Sequence, residues 1–407
     1  MIKAENNPII VMKFGGTSLA TSEGREKVAS KIIAERARGS KPVVVVSAMG
    51  RRGDPYATDT LLSLVDPAHC SDHEIDMLMS VGEVVSTVVL ASLLRNEGVL
   101  ACALTGADAG IVTDSIDKNA TIKLIDPSAI KAIVDEGTVP VVAGFQGVDE
   151  SGLLHTLGRG GSDTTACALG VALNADRVDI YTDVDGVFTA DPSVILEARL
   201  LERITSDELF QMARHGSKIV HAPAAELALQ SGINMRFRNT FSDLEGTEVV
   251  ALETFRSDSV ATAVTTLSGI SRLHVRLPDA KKDPKAHMQA QAQIYRLMAD
   301  VSISIDMFTP INDSLVFSVP SDMAEKALKI LGSEGFDASM QLSLGKVTLV
   351  GSGMHGVPGV MARLAECLED ADIDILQIAD SHATISLLVD EKDLISAAQA
   401  LHRAFGL

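Results

Sequence analysis

Tryptophan is absent from the 407 residues, and there are only 3 tyrosines and 11 phenylalanines. So sparse an aromatic complement offers no platform on which bases or sugars could stack. The four cysteines, Cys70, Cys102, Cys167 and Cys367, are scattered, with no CxxC pair and no histidine at ligand spacing. That pattern predicts neither a zinc site nor a disulfide framework and suits a reducing compartment. Basic charge is also short: 35 Lys and Arg face 54 Asp and Glu, a formal net charge of -19. Broad attraction to nucleic acid or to an anionic membrane is not expected, so an anionic substrate has to be held by local groups. Long apolar runs are missing as well, and the N-terminal MIKAENNPIIVMKFGG is too short in apolar residues for a secretory signal. The expectation is a cytoplasmic globular protein without membrane or nucleic-acid partners, its 46% apolar residues sufficient for a large core.

What is present first is alternation. Buried-strand runs such as IIVMKF, VVVVSAMG, residues 139–145 and residues 177–182 are interleaved with helical stretches over 22–38, 72–96 and most of 206–231. Continuous apolar strands separated by helices predict an α/β domain with a mainly parallel sheet covered on both faces, over residues 1–240. The polar stretch 241–264 is the expected linker. Beyond it a βαββα pattern occurs twice at a spacing of about 70 residues, predicting two small ferredoxin-like modules, 265–344 and 345–407. Terminal strands or helices can be exchanged between such modules, and a repeated small module points to ligand sensing or assembly.

The densest chemistry is GRGGSDTT, residues 158–165, where an arginine, three glycines and Ser-Asp precede an apolar helix. Glycines let backbone approach a ligand, a helix N-terminus attracts negative charge, and Arg159 offers a fork for a carboxylate or phosphate. Ser162 and Asp163 acting only as helix caps would leave Arg159 and the glycine run unexplained. A second candidate is KFGGTS, residues 13–18, at the end of the first strand. Lys13 and the Gly15 and Gly16 amides would cradle a transferring phosphoryl group, although the Walker A pattern is missing.

These motifs resemble aspartate kinase. KFGGTS (13–18), SAMG (47–50), TDTLL (58–62), VGE (81–83), LTGADAG (104–110), GFQG (144–147), TLGRGGSDTTA (156–166), YTDVDGVFTADP (181–192) and GSKIV (216–220) follow that family's order and spacing. The two tail units resemble its paired ACT modules, and SAMGRRGDPYATDTLL resembles its monofunctional bacterial members. The resemblance implies a three-layer amino-acid-kinase domain followed by two ACT modules. It also implies transfer of the γ-phosphoryl of ATP, with Mg2+ carried mainly on the nucleotide, to the side-chain carboxylate of L-aspartate, the reaction that opens lysine, threonine and methionine synthesis.

Carried over by motif, Lys13 and Lys218 would stabilise the transferring phosphoryl group and Asp163 would orient the site. Arg159, Glu83, Thr58, Ser47 and Ser162 would hold aspartate, Glu83 through its ammonium group. Gly15, Gly16, Gly161, Thr182, Asp183 and Phe188 would join the two lysines around the nucleotide. No dedicated metal ligands are implied. The ACT modules imply a homodimer and an amino-acid effector such as lysine, threonine or diaminopimelate, with Val357, Pro358, Gly359, Val360, Gln377 and Ser381 as candidate effector residues.

The chain departs from the family pattern at Val84, Asp108, Leu154, His155 and Ser193, the last replacing an arginine for which Arg199 is a candidate substitute. Val84, His155 and Ser193 motivate the competing reading of a catalytically weak amino-acid sensor; a kinase of another carboxylate is the nearest rival enzyme, against which the paired tail modules and the VGE and LTG motifs argue. One motif is a decoy: GSGMHG, residues 351–356, satisfies GxGxxG, but only 56 residues follow Gly351, too few for a dinucleotide-binding sheet.

Overall fold

IIVMKF forms β1 (Ile9–Phe14), and KPVVVV forms β2 (Lys41–Val46) beside it. Seven more strands enter the first unit before the next crossover, several of them short: β3 (Ala101–Leu104), β4 (Ile111–Thr113), β5 (Ile122–Ile125), β6 (Val139–Ala143), β7 (Gln146–Val148), β8 (Leu154–Thr156) and β9 (Arg177–Thr182). β10 (Arg203–Thr205), β11 (Met235–Asn239) and β12 (Thr247–Val250) complete it. The helices between them are α1 (Gly16–Leu19), α2 (Ser22–Ala37), α3 (Thr58–Leu62), α4 (Asp72–Asn96), α5 (Ser128–Asp135), α6 (Gly161–Leu173), α7 (Ser206–Arg214) and α8 (Ala222–Ser231). The structure, a computed structural model, describes residues 7–251, 260–354 and 356–407.

An eight-stranded sheet in the order β10-β12-β11-β9-β1-β2-β6-β3 is the frame of this unit. Every neighbouring pair is parallel except β11 with β12. The β-branched runs supply strands that can be buried on both faces. One face of β1, Ile10, Met12 and Phe14, packs on Val28 and Ile32 of α2 and on Leu90 and Leu94 of α4. Over the opposite face lies α6, whose Gly170 sits close against Val178 and Val11.

A second, four-stranded sheet, β5-β4-β7-β8, was not expected. Its strands are three or four residues long and partly polar, as in QGV and LHT, so no apolar run announces them. The absence of a long apolar segment also needs correction. α4, a 25-residue helix, is long and apolar enough by length and composition to cross a membrane. Half of its most apolar stretch is buried, as in a core helix.

The first unit takes the chain up to Val187, then Leu200–Ala213, and resumes at Lys218. The second takes Phe188–Arg199, Arg214–Ser217 and the chain from Val260 onward. Within 241–264, expected as linker, β12 is paired with β11 and β10, and residues 252–259 lie outside the described residues.

The second unit contains β13 (Ala263–Arg276), α9 (Pro284–Asp300), β14 (Asp306–Ile311), β15 (Ser314–Pro320) and α10 (Ser321–Ser333). The pattern recurs as β16 (Ala338–Val350), α11 (Val360–Glu369), β17 (Gln377–Asp380), β18 (Thr384–Asp390) and α12 (Leu394–Phe405). Both repeats share one six-stranded sheet, β14-β15-β13-β16-β18-β17, joined through the long antiparallel pair β13 and β16. Each keeps its own core, centred on Phe317 and Leu331 in the first and on Leu349 and Leu364 in the second. β16, which precedes GSGMHG, has antiparallel partners on both sides, so the parallel crossover of a dinucleotide-binding fold does not form there.

Candidate active site

The C-terminal ends of β9, β1 and β2 lie side by side; from β1 the chain first builds the sheet through β2, β3 and β6 on one side, then returns through β9 to build the other. Ligand crevices in open parallel sheets form at such a switch point. Lys13 is the next-to-last residue of β1, and strand alternation turns it with Val11 toward the face that α6 covers. There its Nζ meets Asp163 Oδ1 at 2.6 Å, with the two side chains 12% and 13% exposed. A nearly buried ammonium is thus held at a strand end by a carboxylate in the first turn of a helix.

α6 starts at Gly161, its N-cap is Gly160, and no side chain caps it. Ser162 and Asp163 therefore lie inside the first turn, and the capping explanation for them fails. Gly160 has φ of +67°, and a Cβ there would fall 2.1 Å from Cβ of His221. Glycine is required at this position for both reasons. Gly160→Ala is expected to cost about 1–3 kcal/mol of stability from the left-handed backbone alone. Thermal unfolding of the variant checks this; an unchanged melting temperature would contradict it.

Glu83 is carried by α4, whose start is fixed by a capping box of Ser71 and Glu74. The helix can touch the SAMG turn because Gly82 has no side chain: a Cβ would lie 2.6 Å from both Ala48 Cβ and Tyr56 O. Glu83 is 3% exposed and accepts the Ala48 amide. Burial pushes its pKa up to about 8, against the opposing pull of that hydrogen bond and of the Lys13 charge. Its Oε2 is buried with no hydrogen-bond partner among the described residues. The site is therefore suited to receive a cation.

Other sequence-predicted residues fall into three groups. Ser47 is half-buried just beyond β2 with its amide bonded to Phe14 O at 3.1 Å; Thr58 opens α3; Ser162 is buried against Gly144. Arg159 is exposed at the turn before α6. The glycine amides are less available than expected. Gly15 N–H bonds Tyr181 O at 3.2 Å and Gly161 N–H bonds Gly158 O at 3.1 Å, while Gly16 is laced to the SAMG turn by the Gly50 amide at 2.9 Å. Of the residues expected around a nucleotide, Thr182 donates to Asp183, which pairs with Arg51 at 2.6 Å. Lys218 is exposed in the connection between α7 and α8, and Phe188 belongs to the second unit.

The departures also have places. Val84 is half-buried on α4. Asp108 accepts the amide and hydroxyl of Thr105, a local turn device. Ser193 closes a turn on Asp191 at 2.9 Å and 2.6 Å. Arg199 belongs to the second unit, where its guanidinium donates to Gly406 O. His155 is buried on β8, with Nδ1 2.9 Å from Asp117 and Nε2 3.4 Å from Asp149. Asp76, which no motif singled out, is fully buried nearby on α4. The apolar setting of a helix that also carries Glu83 was the available signal for it.

In the second unit, Gln377 donates to Thr309 Oγ1 at 2.9 Å and to Met307 O. Ser381 closes a hairpin on Thr384, Val357, Pro358 and Gly359 are exposed, and Val360 is buried at the start of α11. In the first repeat, the connection after β13 leads into α9 with Asp283 as its cap.

Residues 8–239 match the amino acid kinase family and residues 340–403 an ACT domain. Aspartokinase 1 of Bacillus subtilis strain 168 is 42% identical over 405 residues, covering 98% of this chain and 99% of that protein. The fold is similar to that of E. coli aspartokinase III in complex with aspartate and ADP, TM-score 0.81 at 23% identity, covering 98% of this chain and 100% of the other. Its similarity to the same enzyme in complex with lysine and aspartate has a TM-score of 0.74 at 24% identity, covering 98% and 99%. The chain belongs to the amino acid kinase family, and within it to the aspartokinases.

Proposed function

We propose that this chain transfers the γ-phosphoryl group of ATP to the side-chain carboxylate of L-aspartate, giving 4-phospho-L-aspartate and ADP. The observation that carries this reading is the convergence of the Lys13–Asp163 pair with buried Glu83 at the ends of β1 and β2. An aspartate carboxylate is already ionised at neutral pH, so no general base is required; the work is to bring two anions together. One carboxylate oxygen forms a bond to the γ-phosphorus while the bond to the β,γ-bridging oxygen breaks, and ADP leaves with that electron pair. Lys13 faces the charge on the transferring group, with Asp163 fixing its direction.

Glu83 takes the substrate ammonium, Arg159 its carboxylate, and Ser47, Thr58 and Ser162 add hydrogen bonds. Thr182, Asp183 and Lys218 border the nucleotide, which arrives with Mg2+ to offset its phosphate charge. The acyl phosphate is unstable in water, so the reading also calls for a prompt consuming step downstream, toward lysine, threonine and methionine. A cytoplasmic homodimer paired through the ACT unit, with an amino acid such as lysine, threonine or diaminopimelate as effector near 357–360, Gln377 and Ser381, completes the proposal.

A hydroxamate assay tests it. Purified protein with MgATP and hydroxylamine is expected to form aspartyl hydroxamate from aspartate and not from glutamate. No product at millimolar aspartate would sink the reading and favour a sensor without activity. Adding lysine, threonine and diaminopimelate singly and together is expected to depress the rate; indifference to all of them would leave the ACT unit a structural element only.

A further inference from the structure

Asp76 lies two helical turns before Glu83 on α4, 0% exposed, and the residues around it reach back to the GRGGSD loop. Its Oδ1 accepts the Thr156 hydroxyl at 2.5 Å, and its two oxygens share the Lys118 amide at 3.1 Å and 3.0 Å. Lys118 is held with φ of +62°, a conformation disfavoured for a lysine. The strap it belongs to is tied to the same strand, Ala120 N–H bonding Thr156 O at 2.8 Å. Gly158 then turns against Asn119: a Cβ there would sit 2.7 Å from Asn119 Oδ1. A second tie runs parallel to this one, Gln146 Nε2 of β7 donating to Ser80 O of α4 at 3.0 Å.

We infer that Asp76 is a positioning residue for the aspartate pocket, fixing the helix that carries Glu83 to the strand and strap that aim Arg159. His155 belongs to the same cage. Its ring sits among the carboxylates of Asp76, Asp117 and Asp149 at 3.9 Å, 2.9 Å and 3.4 Å, with the ring of His73 at 6.3 Å between centroids. Asp76 needs its two hydrogen-bond donors more than it needs the imidazole, because both of its oxygens are already engaged. The inference rests on the assignment of Glu83 and Arg159 to aspartate made above.

Steady-state kinetics of the full chain separate positioning from general destabilisation. Asp76→Asn removes the charge and replaces one acceptor oxygen by an amide donor; the Thr156 hydroxyl can turn to accept from it but the Lys118 amide cannot, so the tie to the strap is weakened. The expected result is a KM for aspartate raised about tenfold, with kcat and the KM for ATP each within about threefold. Thr156→Val is expected to reproduce that split, Thr156→Ser to restore the parent values, and the Asp76→Asn/Thr156→Val pair to be no worse than its worse single variant. A loss confined to kcat, an equal rise in both KM values, or additive effects would overturn the inference. Should Asp76→Asn fail to fold, the Thr156→Val and Thr156→Ser contrast decides alone. Glu83→Gln serves as the control on the underlying site. If, measured above the Glu83 pKa of about 8 where the parent is ionised, it leaves the KM for aspartate unchanged, the pocket assignment fails; if it raises that KM while the Asp76 and Thr156 variants do not, only the positioning role fails.

Discussion

Replacing Lys13 by methionine is expected to lower kcat by about 10²- to 10³-fold, the range found when one preorganised charge-stabilising donor is removed from a transition state. Methionine preserves length and apolar contact while removing the ammonium that sits 2.6 Å from Asp163. In a site this enclosed, a positive charge near the transferring phosphoryl oxygens acts at low effective dielectric and needs no reorganisation. The opposing reading is that the Lys13–Asp163 pair merely fastens α6 to β1. That reading predicts a lower melting temperature for Lys13→Met with kcat within about threefold of the parent. Asp163→Asn discriminates further: it retains an oxygen to orient Lys13, so a smaller loss of kcat is expected than for Lys13→Met. If both variants lose only stability, the pair is structural and the proposed chemistry at β1 fails.

The framework on which that pair depends was readable wherever one physical signal dominated. Continuous β-branched runs located β1, β2, β6 and β9, and the switch point between β1 and its neighbours follows from their alternation with helices. The tail repeat was visible because two copies of one pattern reinforce each other, although the sharing of a single sheet was not, since β13 and β16 carry no mark of which strand each will meet. The hairpin strands β7 and β8 escaped for the opposite reason. They are short and hold His155, Thr156 and Gln146, polar residues whose burial depends on Asp76 and Ser80 far away in the chain. Glycine runs signalled the loops correctly, but which amides remain free is a tertiary fact: Gly15 and Gly161 spend theirs on Tyr181 and Gly158. A glutamate inside a helix reads as solvated until the glycine before it is seen to press the helix onto Ala48.

With Glu83 meeting the substrate ammonium as proposed, that burial is expected to make aspartate binding steeply dependent on pH. With a pKa of about 8 in the ligand-free protein, Glu83 carries a proton at neutral pH. The substrate ammonium favours the ionised form, so binding has to expel that proton. Apparent affinity scales with the ionised fraction, and the KM for aspartate is expected to rise about tenfold per pH unit below 8, reaching about a hundredfold at pH 6. Titration calorimetry in two buffers of different ionisation enthalpy is expected to show close to one proton released at pH 7. Glu83→Gln keeps the shape but cannot ionise; its KM is expected to lie about 10- to 100-fold above the parent's plateau, the worth of a hydrogen bond to a charged group, and to be flat with pH. Folding provides an independent readout of the same proton. Because the folded pKa is raised above the ordinary glutamate value of 4.5, the native state binds more protons than the unfolded chain between 4.5 and about 8. Glu83's contribution to stability is therefore fully present below 4.5 and is lost as pH rises through about 8, a slope that Glu83→Gln removes. A KM for aspartate that is flat from pH 6 to 8 in the parent protein, with no proton released on binding, would mean that Glu83 is already ionised in the free protein or does not meet the ammonium group; a flat folding-stability slope shared with Glu83→Gln identifies the first, and a retained slope the second.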